Sequence, residues 1–206
     1  MNAMKVKICG IRRLEDAMTA IELGANALGF VFWPGSPRFI EPDEAREIVA
    51  AVPALVTTVG VFVDQPVEHV AEVARGLNLG AVQLHGHEHI EAFTGLSPQV
   101  IKSVPMANGI DVESLLSNVP MGATVLLDAH DPVKRGGTGR TIDWNRAAAA
   151  ARRRPVILSG GLNADNVRAA IETVHPYAID VSSGVESSPG VKDVSKLRAL
   201  FAAVNL

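Results

Sequence analysis

Short apolar runs alternate with amphipathic segments from one end of the chain to the other. The runs are Lys5–Cys9, Ala27–Phe32, Thr57–Val63, Ala81–His85, Val100–Val104, Thr124–Asp128, Val156–Ser159 and Ala178–Ser182. Each is rich in Val, Ile and Leu and stops near glycine, proline or a polar cluster, as strands buried on both faces do. Between them, apolar residues recur with helical spacing at Leu14–Leu23, Pro42–Val52, Val67–Leu77, Trp144–Arg153, Ala164–Val174 and Val194–Val204. Asp143 and Asn163 stand where helix N-caps are expected. Only the fifth connection, Asp111–Asn118, is short and weakly patterned.

Eight strand–helix units in 206 residues predict an α/β fold, a compact (β/α)8 TIM barrel with little room for insertions. No Pro/Ser-rich linker interrupts the rhythm, so residues 1–206 are expected to form one barrel domain. The competing doubly wound sheet would use fewer strands, and no GxGxxG follows the first strand. Strand parity adds direction, because successive side chains point to opposite faces. Val6 and Ile8 form one set and Lys7 and Cys9 the other; likewise Val82 and Leu84 against Gln83 and His85, and Ile179 and Val181 against Asp180 and Ser182. The apolar sets pack on helices, so the polar sets face the barrel interior. Cys9, His85, Asp128 and Ser182 then stand at strand C-termini, where barrel enzymes build their sites.

Composition supports this picture. The chain is 48% hydrophobic but only 4% aromatic, which calls for an aliphatic core. A net charge of −3, with no basic run except Arg152–Arg153–Arg154, leaves no electrostatic footprint for nucleic acid. Those arginines are expected to cap the alanine-rich helix before them. One cysteine excludes an intramolecular disulfide framework and fits a reducing compartment. With no apolar leader and no stretch of about 20 apolar residues, a cytoplasmic protein without a membrane partner is expected.

Taken alone, Cys9 is a small buried hydrophobe. Its phase, shared with Lys7, and the glycine that follows make it instead a mouth-facing thiol whose proton a nearby cation would loosen. Asp128 ends the sixth strand, nearly across a closed barrel from the first. A ligand between the two would meet Cys9 on one side and Asp128 on the other, the layout an acid–base isomerase needs, although Asp128 alone could equally be a helix cap or a salt-bridge partner. Gly160 and Gly161 after the seventh strand, and Ser183 and Gly184 after the eighth, bring backbone amides to the usual phosphate position of barrels, where a short helix would add its dipole. Arg38, in a proline-stiffened loop, offers a fork to a carboxylate. His87 and His89 suggest a metal, but they are expected on the next helix with no known ligand spacing, so no metal site is predicted. The glycine-rich Lys134–Gly139 segment reads either as a surface loop or as a lid.

Lys5–Ile11, Ser36–Pro37–Arg38, Gln83–Gly86, Leu127–Asp128, Gly136–Gly139 with Asp143–Trp144, Leu158–Leu162 and Asp180–Glu186 with Pro189–Asp193, in that order, resemble phosphoribosylanthranilate isomerase of tryptophan biosynthesis. The resemblance implies an Amadori rearrangement without a cofactor. It makes Asp128 the acid that opens the ribose ring and Cys9 the base at C2. Arg38 would hold the anthranilate carboxylate, and Gly160, Gly161, Ser183 and Gly184 the phosphate. His85 and Asp180 would touch the ribose or Cys9. The partner is a small phosphoribosyl substrate, and the enzyme is a monomer or a homodimer. Other phosphosugar barrel enzymes, an aminoaldose isomerase or an epimerase, are the alternatives. The first would want an aspartate at the first strand and a twofold repeat, the second histidine pairs and a metal. A non-catalytic barrel that binds a phosphorylated ligand is a further one.

Overall fold

The computed structural model describes residues 3–93, 95–96, 99–106, 111–129 and 143–205. Eight parallel strands close into a barrel in chain order: β1 (Lys5–Cys9), β2 (Ala27–Val31), β3 (Thr57–Phe62), β4 (Ala81–Leu84), β5 (Gln99–Pro105), β6 (Thr124–Asp128), β7 (Val156–Leu158) and β8 (Ala178–Val181). Closure is visible at Lys7, which pairs with Ala27 on one side and Asp180 on the other. Around the barrel run α1 (Leu14–Glu22), α2 (Pro42–Ala51), α3 (Val67–Gly76), α4 (Val112–Ser117), α5 (Trp144–Ala151), α6 (Val167–Val174) and α7 (Val194–Val204). Strand and helix ends differ from expectation by a residue or two in most cases, as element boundaries do.

Side chains alternate between the outer and inner faces along the strands. Val6, Ile8, Leu28, Val82, Leu84, Ile179 and Val181 face outward into one large apolar cluster with the helices. Inside, Val59, Ala81, Ile101, Leu126, Ile157 and Ala178 form a floor, and Cys9, Val31 and Val61 form a smaller cluster toward the mouth. The barrel interior also carries buried polar side chains: Lys7, Gln83, Ser103 and Asp180. A wholly aliphatic plug would be cheaper to bury, so each of these must find a partner.

Several local expectations are corrected. No α-helix occurs between β4 and β5 among the described residues; that connection holds one 3-10 turn, Ile90–Phe93. Ile90 and Phe93 are buried there, filling the space a helix would cover, while His87 and His89 stay exposed off any helix. Arg154 does not cap α5. It is buried and turns away to the loop before β6, donating to the carbonyls of Val119 (2.7 Å), Pro120 (3.0 Å) and Ala123 (2.5 Å). Asp143 does cap α5, accepting from the amides of Asn145 and Arg146. Asn163 instead closes a turn ahead of α6, which begins three residues later than expected because that turn is locked by Asn166 Oδ1 on the Asn163 amide. After β8 the chain makes a single 3-10 turn, Ser183–Val185, too short to carry a helix dipole of any size, and then an unforeseen hairpin, β9 (Glu186–Ser188) with β10 (Val191–Lys192). The Lys134–Gly139 segment lies outside the described residues.

Candidate active site

The mouth of the barrel is built from the last residue of several strands and the turns that follow. β1 delivers Cys9 with its thiol inward, against Val31 and Val61. The chain then leaves through Gly10 at φ +80°, a left-handed conformation that glycine adopts without a Cβ clash. Glycine is needed there for a second reason: a Cβ would sit 2.6 Å from Cδ of Arg38, which lies across the turn. Gly29, beside Cys9 on β2, makes room in the same way, because a Cβ would come within 2.8 Å of the Cys9 sulfur.

From β6, Asp128 enters the mouth almost fully buried. Its Oδ2 lies 3.1 Å from Nε2 of His85, and Nδ1 of His85 lies 2.9 Å from the Gln83 side-chain amide nitrogen. With the Gln83 amide donating to Nδ1, the imidazole hydrogen sits on Nε2 and points at the carboxylate. The relay fixes the rotamer of Asp128 and leaves its Oδ1 as the oxygen not engaged by His85. The parity of Gln83 was visible in the sequence, but nothing there showed that it would hold His85.

The turns after β7 and β8 meet at the stretch of rim between β6 and β1. Gly160 and Gly161 adopt φ +93° and +64°, and Gly184 lies so close to the Leu162 carbonyl that it leaves no room for a side chain. Gly160, Gly161, Ser182 and Ser183 line the mouth, whereas Gly184 is packed behind them and does not. The hydroxyl oxygen of Ser182 is buried with no hydrogen-bond partner among the described residues.

Arg38 presents its fork, but to a carboxylate of the chain itself. Nε (2.9 Å) and Nη2 (2.7 Å) both engage Glu186 at the start of the hairpin. Lys192, from the other hairpin strand, contacts the same carboxylate at 2.8 Å and donates to the carbonyl of Cys9 at 2.5 Å. The hairpin thus ties Arg38 to the end of β1. Burial works against the Glu186 carboxylate, yet Arg38 and Lys192 outweigh it and hold its pKa below the ordinary carboxylate value. Burial also pulls the Lys192 ammonium down, and Glu186 offsets this only in part. Glu186 and Lys192 were not foreseen as site residues.

Deeper in the barrel, Lys7 Nζ pairs with Asp180 Oδ1 at 2.8 Å, and Ser159 donates to the other Asp180 oxygen at 3.4 Å. The expectation of a loosened thiol is corrected here. Burial pushes the Cys9 thiol up, and this exceeds the opposing pull of Lys7; Asp180 adds to the rise. The cation is present, but in the unliganded site desolvation wins.

A cavity of about 450 Å³, within the usual range for small-molecule sites, opens at this mouth, with Lys7, Glu186 and Lys192 behind its lining. Cys9, Arg38, His85, Asp128, Gly160, Gly161, Asp180 and Ser183 all line it, so of the nine residues expected from the sequence only Gly184 stands back. Among the described residues, no group of three or more His, Cys, Asp or Glu side chains is placed to hold a metal ion.

The model of the N-(5'phosphoribosyl)anthranilate (PRA) isomerase family matches residues 6–203. The chain belongs to that family. The N-(5'-phosphoribosyl)anthranilate isomerase of Pelobacter propionicus is 46% identical over 95% of this chain and 92% of its own length. The solved phosphoribosyl anthranilate isomerase of Thermotoga maritima superposes with a TM-score of 0.90 at 44% identity, over 98% of both chains. A further solved isomerase, in complex with reduced 1-(o-carboxyphenylamino)-1-deoxyribulose 5-phosphate, gives a TM-score of 0.86 at 42% identity, again over 98% of both chains. Family membership and the closed eight-stranded barrel therefore agree with what the order of motifs implied.

Proposed function

We propose that the chain converts N-(5-phosphoribosyl)anthranilate to 1-(2-carboxyphenylamino)-1-deoxyribulose 5-phosphate, with Asp128 as general acid and Cys9 as general base. The observation that carries this reading is one cavity, in a chain of the PRA isomerase family, lined by Cys9 from β1 and Asp128 from β6. Those strands are separated by β7 and β8 on one side and by four strands on the other, so the two groups reach a ligand from different sides.

The steps follow from this layout. Asp128 gives its proton to the ribose ring oxygen; the C1–O bond breaks as the nitrogen lone pair forms a C1=N Schiff base. The Cys9 thiolate then takes the C2 proton. The C2–H electrons form a C1=C2 bond and the C1=N electrons return to nitrogen, giving an enolamine. Loss of the C2 hydroxyl proton and protonation at C1 yield the ketone. Neither step draws electrons from outside the substrate. Each proton transfer to a positioned group contributes about 10²–10⁴-fold.

Gly160, Gly161 and Ser183 offer amides to the phosphate, with the unpartnered Ser182 hydroxyl beside them. Arg38 offers the anthranilate carboxylate its Nη1 edge, the one Glu186 leaves open. Gly184 acts behind them by letting the β8 turn close onto Leu162. Asp180 and His85 contact the ribose hydroxyls. We further take the 206 residues as one barrel domain working in the cytoplasm as a monomer or homodimer, on a small phosphoribosyl substrate and without a nucleic-acid or membrane partner. In support, no described helix is long and apolar enough to cross a membrane, and a Thermotoga maritima relative is described as dimeric.

The test is direct. Purified protein is mixed with N-(5-phosphoribosyl)anthranilate and the loss of substrate fluorescence is followed. Disappearance at an enzymatic rate is expected; a substrate left untouched refutes the proposal.

A further inference from the structure

A lysine in the interior of a barrel is expensive to bury, and Lys7 is only 3% exposed. Its partner Asp180 explains how it is tolerated but not why it stands where it does. Lys7 and Cys9 are two residues apart on β1 and project into the same interior. They share the hollow that Gly29 leaves on the neighbouring strand, where a Cβ would lie 2.8 Å from the Cys9 sulfur and 3.2 Å from Cε of Lys7. The Lys7 stem and the thiol are therefore packed side by side, and the ammonium interacts with both the thiol and Asp180.

We infer that Lys7 is the positioning residue of the base: its buried ammonium is the counter-charge that allows the Cys9 sulfur to carry a negative charge inside the barrel. This rests on the reading of Cys9 as the base. Asp180 opposes Lys7, since it holds the same ammonium while presenting its own negative charge to the sulfur. Burial works against the Lys7 ammonium, but Asp180 and Cys9 outweigh it and keep it charged above the ordinary lysine range.

The other charges around the sulfur are accounted for. Lys192 assists from β10, but its ammonium is already shared between Glu186 and the Cys9 carbonyl. Arg38 is committed to Glu186, and His85 and Asp128 are engaged with each other on other strands of the barrel. The β2 and β3 residues packed on the thiol, Gly29, Val31 and Val61, carry no charge. Lys7 pairs with one carboxylate, Asp180, and the remaining group acting on its ammonium is the Cys9 thiol, whereas Lys192 is divided between Glu186 and backbone carbonyls.

Cys9 is the chain's one cysteine, so alkylation by iodoacetamide reports on it alone. The rate is measured against pH for the wild type, Lys7→Met and Asp180→Asn, beside the pH profile of kcat/KM. Lys7→Met is expected to move the alkylation midpoint to higher pH and Asp180→Asn to lower pH, with the limb of kcat/KM that reports the ionisation of Cys9 following in each case. A merely structural ion pair would shift both variants alike or neither. Coincident profiles for Lys7→Met and wild type, or an upward shift in Asp180→Asn, overturn the inference. Should Lys7→Met fail to fold, the direction of the Asp180→Asn shift decides alone. Alkylation that shifts as expected while kcat/KM does not follow leaves the hold of Lys7 on the thiol standing and overturns the assignment of Cys9 as the base.

Discussion

Replacing Glu186 by glutamine keeps the shape of the side chain and removes the charge that two buried cations share. In the wild type, Arg38 reaches Glu186 through Nε and Nη2, and Lys192 through Nζ, at 2.7–2.9 Å for the shortest contact of each group. Glutamine still accepts at one atom but turns an N–H toward a guanidinium or ammonium N–H at the other. Breaking a buried pair from one side costs about 3–5 kcal/mol, because the remaining charge is left uncompensated. For a chain of this size that corresponds to a fall in Tm of roughly 6–20 °C. Thermal unfolding by circular dichroism measures it. The pH dependence gives an independent check: the pKa of Glu186 is depressed in the folded state, so its contribution is present above the ordinary value of 4.5 and lost as pH falls through the folded value. The Tm gap between wild type and Glu186→Gln is therefore expected to be widest near neutral pH and to close in acid. A gap under about 2 °C at pH 7 would place the pair among exposed ones worth under 1 kcal/mol and refute this account of the hairpin.

Other outcomes follow from single contacts. Arg38→Ala should mainly raise KM, since a carboxylate held alike in ground and transition states adds uniform binding; an unchanged KM removes Arg38 from the site. Gly184→Ala drives a methyl into the Leu162 carbonyl and should displace the β8 turn, weakening inhibition by inorganic phosphate and raising KM, while a variant with wild-type phosphate inhibition would show that the two turns do not position the anion. Arg154→Met strips three carbonyls of a charged donor outside the cavity. It should lower stability by about 2–4 kcal/mol in urea unfolding with kcat retained, and a loss of kcat in folded protein would contradict the purely structural role.

The barrel was legible because its strands carry a strong periodic signal: a slip of one residue would have put Val6 and Ile8 inside and Lys7 and Cys9 among the helices. The same parity turns Cys9, His85 and Asp180 to the interior, and Asp128 joins them from the end of its strand across the barrel. What stayed hidden depended on contacts distant in sequence. Arg38 and Glu186 are 148 positions apart, and nothing local to Arg38 tells that its fork is taken by the chain rather than by solvent. Arg154 was misjudged for the same reason: three consecutive arginines after an alanine-rich helix look like dipole partners, yet the third meets a loop more than 30 residues away. Among the described residues no α-helix follows β4, and the sequence carries a local signal for this, since Gly86, Gly95 and Pro98 interrupt the segment that a helix would need. The thiol was misjudged on magnitude rather than on contacts; a sequence shows that Lys7 is near Cys9 but not how fully both are buried.

In the proposed reaction Asp128 gives one proton to the substrate and Cys9 takes another from it. The measurement that tests it is kcat/KM of wild type, Cys9→Ala and Asp128→Ala on N-(5-phosphoribosyl)anthranilate, each variant first shown to be folded. Losses of about 10²–10⁴-fold in each variant, unequal because the two steps differ, are predicted. Full activity in either variant would contradict the assignment.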